Sequence, residues 1–270
     1  MAKIIAVINQ KGGSGKTTTC VNLGACLAEL GKSVLIVDLD PQRNATLHLL
    51  GKEKALRVWG KNKSIYDVLI KDLPIEEAIF DTSLEKLKLI PSNIDLAGAD
   101  MELVNMFGRE KIMREKIREI SESWDFILID CSSTLGLLTL NALTCANYCL
   151  ITLQAEYLAL EGMVQLLSTL KLVQNRLEWP IELIGALVTF YDQRKVICRN
   201  VASKAEGFFG GSMFKTRIRD NVRLSEAPSH GKPITLYDPS CYGAQDYKNL
   251  AQEVLTNVET RSRRESVSAN

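Results

Sequence analysis

The chain has 270 residues, 46% hydrophobic and 24% charged, and its 33 Lys and Arg against 32 Asp and Glu leave a formal charge of +1. This composition excludes a disordered or fibrous chain, and the even balance excludes a general polycation, so any nucleic-acid contact must come from local basic patches. No apolar run approaches the roughly 18–20 residues needed to cross a bilayer.

Met1-Ala2-Lys3-Ile4-Ile5 reads as the start of a strand and not as a leader with a cleavage site. Apolar runs of strand length then recur at Ile4–Ile8, Val34–Val37, Leu87–Ile90, Phe126–Ile129, Tyr148–Leu153 and Leu183–Val188. Continuous apolarity, as opposed to alternation, means burial on both faces, as in the central strands of a parallel sheet. Helical patterns fill the gaps: Thr17 to Leu30 with a glycine stop at Gly31, then about Arg109–Glu122, Leu158–Arg176 and Tyr247–Val258. The alternation predicts an α/β fold: a doubly wound, mostly parallel sheet with helices on both faces. Gly51–Glu85 is richer in charge and less periodic, and reads as an excursion of helices and loops. No linker interrupts the pattern, so residues 1–258 are expected to form a single domain, followed by a polar tail over residues 259–270 that is expected to fray.

The seven cysteines are odd in number, scattered, without a Cys-x-x-Cys pair, and several sit in apolar runs. They read as free thiols in a reducing cytoplasm. Neither His48 nor His230 has ligand-like neighbours, so no zinc site is expected.

Directly after the first strand comes Asn9-Gln10-Lys11-Gly12-Gly13-Ser14-Gly15-Lys16-Thr17-Thr18-Thr19, opening into a helix. Glycines let the backbone curl so that its N–H groups surround phosphate oxygens, and the following helix aims its positive end at the same anion. Lys16 is placed for the β- and γ-phosphates and Thr17 for Mg²⁺. The general phosphate-loop pattern asks for glycine where Gln10 stands, and Lys11 is an additional lysine.

Lys11-Gly12-Gly13-Ser14-Gly15-Lys16-Thr17-Thr18 resembles the deviant Walker A motif of the ParA/MinD group of P-loop ATPases. Val37-Asp38-Leu39-Asp40-Pro41-Gln42 resembles that group's second motif and Ile129-Asp130-Cys131 its Walker B. Asn221 to Pro233, continued by Leu236-Tyr237-Asp238-Pro239, is similar to the C-terminal signature of the chromosomal ParA (Soj) branch. The resemblance implies an Mg²⁺-dependent ATPase that binds ATP through Lys11, Gly12, Gly13, Ser14, Gly15, Lys16, Thr17 and Thr18. Thr17 and Asp130 would hold the metal, with Asp38 behind them, and Asp40 would position the attacking water. Lys11 and Lys16 would stabilise the transferred charge, Lys11 from across a face-to-face homodimer formed with ATP. Adenine contacts are expected in the loops after Val188 and around Pro228.

Three departures from the family pattern stand out. Ser14 replaces the usual valine, Arg43 the usual glycine after Asp40-Pro41-Gln42, and Ser132-Ser133 two prolines after Asp130-Cys131. Loss of the prolines is expected to loosen that segment.

Basic residues gather late, at Arg194, Lys195, Arg199 and Lys204, then at Lys215, Arg217, Arg219 and Arg223. By resemblance Arg194, Arg223 and Arg219 carry non-specific DNA binding in the ATP-bound dimer, with an affinity that falls steeply with salt. Arg219-Asp220 departs from the family's proline-arginine pair. The last ten residues hold one bulky aliphatic, Val267, so a terminal membrane helix is not expected. The implied function is DNA partitioning in a cytoplasmic, nucleoid-associated setting, with hydrolysis stimulated by a ParB-type centromere-binding protein. The alternative is a nucleotide-gated regulatory or recruitment protein, for example of replication initiation, with negligible hydrolysis.

Overall fold

The computed structural model describes residues 1–156 and 161–268. The first strand, β1 (Lys3–Ile8), leads through α1 (Lys16–Glu29) to β2 (Val34–Leu39). Then come α2 (Asn44–Trp59), α3 (Ile65–Ile70), the short β3 (Phe80–Asp81), β4 (Leu87–Ile90), α4 (Ala99–Leu103) and α5 (Ile112–Ile120). The second half runs β5 (Phe126–Cys131), α6 (Leu137–Cys145), β6 (Tyr148–Gln154), α7 (Glu161–Arg176), β7 (Glu182–Tyr191), α8 (Val196–Phe209) and β8 (Met213–Arg219). It ends with α9 (Val222–Glu226), α10 (Ile234–Tyr237) and α11 (Tyr242–Ser268).

The eight strands form one sheet in the order β3-β4-β2-β5-β1-β6-β7-β8. All neighbours are parallel except β3 and β4. Alternate side chains of β1 enter opposite cores: Ile4, Ala6 and Ile8 one, Ile5 and Val7 the other. That is why this strand carries no polar alternation. Helix α1 is buried along nearly its whole length, and Gly24 admits the sheet so closely that a Cβ there would lie 2.8 Å from Ile36 Cδ1. It ends as expected at Gly31, whose φ is 88° and whose N–H donates to the Ala28 carbonyl.

β5 stands between β1 and β2, with Val7 beside Asp130 and Asp38 beside Asp130 in register. The chain from β1 to β2 therefore crosses over β5, and the crevice at the carboxyl ends of these strands is where a doubly wound sheet places its ligand. Both the loop after β1 and the acidic residues ending β2 and β5 arrive there from sheet order alone.

The sequence reading missed β8 and α8. The strand Met-Phe-Lys-Thr-Arg-Ile-Arg lies at the sheet edge with Phe214 and Ile218 buried and Lys215 exposed, so it lacks the continuous apolar run of the inner strands. The final helix also extends past the expected boundary at Val258, because Arg261 bonds the Leu183 carbonyl at 2.8 Å and Lys3 donates to Ser262 Oγ at 2.8 Å. The expected helix start at Leu158 lies outside the described residues.

Candidate functional site

The loop between β1 and α1 is built by glycine. Gly13 and Gly15 have φ of 73° and 86°, left-handed values that side chains disfavour. Ser14 between them is fully buried, its hydroxyl 3.0 Å from Thr152 Oγ1, and its carbonyl accepts the Thr189 hydroxyl at 2.9 Å. The Ser14 hydroxyl thus pins the loop to β6, and its backbone carbonyl pins it to β7. Lys16 is 7% exposed and donates to the Lys11 carbonyl at 3.3 Å. Burial pulls its ammonium below the ordinary lysine range, against the raising influence of Asp130, Cys131 and Asp40.

Loop residues Gly12 to Thr18 line a cavity of about 790 Å³ together with Asp40, Arg43, Trp59, Phe190 and Pro228. A smaller cavity of about 140 Å³ adjoins it, sharing Phe190 and Pro228 and adding Asn221, Leu224 and Tyr247. The loops after Val188 and around Pro228, expected to hold the base, therefore meet beside the phosphate loop. Sequence reading had named those loops but not Phe190, whose φ of 53° turns it toward both cavities, nor Trp59.

The three acidic residues differ in what their oxygens do. Asp38 is fully buried and spent on structure: Oδ2 accepts both the Thr46 N–H and the Thr46 hydroxyl at 2.7 Å, and Oδ1 accepts the Asp40 N–H at 3.2 Å. It fastens the start of α2 to the sheet. Burial raises its carboxyl to about 7, while those same Thr46 and Asp40 bonds oppose the rise. Asp40 closes its own turn, Oδ1 accepting the Gln42 N–H at 2.9 Å, and lines the cavity.

Asp130 is also fully buried, yet neither of its oxygens has a hydrogen-bond partner. Burial and then the neighbouring Asp38 push its carboxyl far above the usual range. The Thr17 hydroxyl and the Lys16 ammonium oppose that shift without giving either oxygen a well-formed bond. A buried, orphaned carboxylate beside a hydroxyl and a phosphate loop is the hard-oxygen donor set that suits Mg²⁺, which takes one or two carboxylates and keeps waters and phosphates for the rest. Among the described residues no cluster of three or more His, Cys, Asp or Glu side chains forms a protein-only metal cage.

Lys11 lies folded back on its own chain, its ammonium paired with Glu156. The segment after Asp130 is less free than the missing prolines suggest. Ser132 Oγ meets Thr134 Oγ1 at 2.9 Å, the Thr139 hydroxyl donates to the Thr134 carbonyl at 2.6 Å, and Asp100 accepts the Leu138 N–H at 2.9 Å.

The arginines expected on DNA are each already paired. Arg194, its side chain 86% exposed, forks onto Asp192 at 3.0 and 2.9 Å. Its guanidinium holds that carboxyl down at about 2. Arg223 bonds Glu226 at 2.8 Å and stands 3.5 Å from Asp238. Arg219 is the most committed: its backbone and side chain bond the nearly buried Asp246, and its guanidinium lies 4.3 Å from the centre of the Tyr242 ring. No described helix is long and apolar enough to cross a membrane.

A family model described as an AAA domain matches residues 2–183. The chain is 49% identical over 257 residues to the sporulation initiation inhibitor protein Soj of Bacillus subtilis, covering 95% of this chain and 100% of that one. It is 44% identical over 255 residues to the chromosome-partitioning ATPase Soj of Treponema pallidum, covering 94% and 98%. Among solved structures, a Mycobacterium smegmatis protein described as cobyrinic acid a,c-diamide synthase, with bound ATP analogue and magnesium, superposes with a TM-score of 0.81 at 34% identity over 96% of each chain. Relatives of this identity cover nearly the whole chain, and the chain belongs to the ParA/Soj family of chromosome-partitioning ATPases.

Proposed function

We propose that residues 1–258 act as one Mg²⁺-ATP switch that dimerises with ATP, holds DNA non-specifically in that state and lets go after hydrolysis. The observation that carries the reading is the fully buried Asp130 carboxylate with both oxygens unpartnered beside Thr17 and Lys16. Backbone N–H groups of Gly12 to Thr18 cradle the phosphates, and Lys16 neutralises the β- and γ-oxygens. Thr17 and Asp130 hold the metal, with Asp38 keeping α2 and the Asp40 turn in place behind them. Asp40 orients the water for attack on the terminal phosphate. Magnesium, held by Thr17 and Asp130, would supply the positive charge that offsets the phosphate oxygens.

Lys11 leaves Glu156 and reaches the partner's nucleotide, so only the triphosphate gives both subunits' lysines something to hold. The DNA face combines Arg194 and Arg223, with Arg219 as its more firmly tethered member. A ParB-type protein stimulates hydrolysis, and the cycle runs in the cytoplasm on the nucleoid.

The test is ATP turnover with magnesium, alone, with DNA, and with DNA and a ParB-type centromere-binding protein. The reading expects slow basal hydrolysis, stimulation by DNA and partner together, and DNA binding with ATP but not with ADP. No turnover under any of these conditions, with ATP-dependent DNA binding retained, would favour the recruitment reading in its place.

A further inference from the structure

We propose that Arg43 selects the triphosphate: its guanidinium rests on Trp59 and transfers to the terminal phosphate when ATP fills the cavity. The inference rests on the phosphate-loop reading above, which gives Arg43 no role.

Arg43 sits at φ 61° and ψ 28°, the left-handed region, at the position where the family pattern carries glycine. Its N–H donates to the Asp40 carbonyl at 2.9 Å, so the turn that presents Asp40 also fixes where Arg43 begins. A non-glycine residue held there costs roughly 1 kcal/mol. Backbone strain at the rim of a ligand cavity is an observation from which function can be argued.

The side chain supplies the second observation. The guanidinium lies 4.4 Å from the centre of the Trp59 ring, and Arg43 lines the same cavity as Gly12 to Thr18 and Asp40. Its Nε is buried without a hydrogen-bond partner. Among the described residues Arg43 forms no ion pair, whereas Arg194, Arg219 and Arg223 each have an acid. A planar five-donor cation is thus held at a phosphate cavity by little more than a ring face.

A ring face holds a cation weakly, and a phosphate accepts the guanidinium fork through two charge-assisted bonds. The exchange therefore runs toward an oxyanion that comes within reach. The diphosphate, its oxygens already taken by the loop and Lys16, offers less than the triphosphate. The indole of Trp59 stays in place throughout, because its Nε1–H donates to the Ser92 carbonyl at 2.7 Å. Departure of the cation from its face is then a spectroscopic event.

The experiment measures Mg-ATP and Mg-ADP affinity by calorimetry for the wild type, Arg43→Gly and Arg43→Lys. Glycine removes the cation and suits the backbone, so folding is not at risk. ATP affinity is expected to fall about tenfold in Arg43→Gly while ADP affinity changes less than about twofold. Arg43→Lys, with a point charge and no fork, should fall between. Tryptophan fluorescence should change with ATP and not with ADP, and Trp59→Phe should lose that difference. An unchanged ATP-to-ADP ratio in Arg43→Gly overturns the role of Arg43 alone. Wild-type protein that binds neither nucleotide overturns the phosphate-loop reading and this proposal together.

Discussion

Acid should weaken this fold through one histidine. His48 on α2 is 1% exposed, and its Nε2–H donates to the Lys232 carbonyl at 3.1 Å. Burial lowers its pKa from 6.5 to about 4, the Lys232 bond opposing only in part. In the unfolded chain the ring takes up a proton as pH falls through about 6.5, whereas in the folded chain it stays neutral until about 4. Between those values the unfolded state binds more protons, so stability is full above the upper value and is lost as pH falls through the window. A pKa moved from 6.5 to about 4 corresponds to about 3 kcal/mol when the whole window is crossed.

The assay is urea unfolding of the wild type and His48→Gln from about pH 7.5 to about pH 4.5. Glutamine keeps a donor for Lys232 and cannot ionise. Carboxylates far from the site titrate alike in both proteins and cancel in the difference. Asp38, whose raised pKa has the opposite sign and favours the fold as pH falls, cancels likewise. The stability difference between the two proteins should shift by about 2.5 kcal/mol between about pH 7.5 and about pH 4.5, against the wild type at low pH. A difference that stays flat would show that His48 is not held neutral by burial.

Gly231→Ala should destabilise by more than about 2 kcal/mol in thermal or urea unfolding. Gly231 has φ 62°, and its new Cβ would lie 2.8 Å from the backbone of Gly51, which cannot swing aside as a side chain can. Arg219→Ala should cost about 1–2 kcal/mol of stability, because it strips the partner from the nearly buried Asp246. Arg194→Ala combined with Arg223→Ala should leave unfolding within about 0.5 kcal/mol of wild type while weakening DNA binding and flattening its salt dependence. Unchanged gel-shift affinity in that double variant places the DNA face elsewhere. Glu156→Gln should leave stability within about 1 kcal/mol, since the Lys11–Glu156 pair is exposed, while increasing ATP-dependent dimer measured by sedimentation. No gain in dimer would show that the pair does not restrain Lys11.

What could be read from the sequence follows burial. β1, β2, β5, β6 and β7 are covered on both faces, so their apolar runs are continuous and mark them without ambiguity. At the edge, β8 needs only Phe214 and Ile218 inward, and its lysine and arginines hide it. α2 was lost within a charged stretch because Gly51, at φ 68° and ψ 168°, breaks its period in the middle. The phosphate loop was legible since its glycines, lysine and threonine act through contiguous backbone. Partners were not legible. That Asp38 is consumed by Thr46 while Asp130 is left open depends on neighbours 8 residues away and across the sheet. The conformation of Arg43 explains in retrospect why the family pattern carries glycine at that position.

The pairing of the arginines changes what near-neutral charge means for the proposed switch. Arg194 and Arg223 carry their own counter-charges in Asp192 and Glu226. A DNA phosphate must therefore displace a carboxylate and not merely a dissolved anion, which makes each contact worth less than its charge suggests. With few such exchanges per subunit, one subunit of the proposed switch would bind weakly at physiological salt. Non-specific affinity depends on the number of phosphates contacted through an exponent, so doubling that number in a dimer squares the electrostatic advantage and doubles the salt slope. Weak individual contacts are then the condition for sharp gating. A chain with unpaired arginines would hold DNA more tightly as a monomer, and the contrast between nucleotide states would shrink.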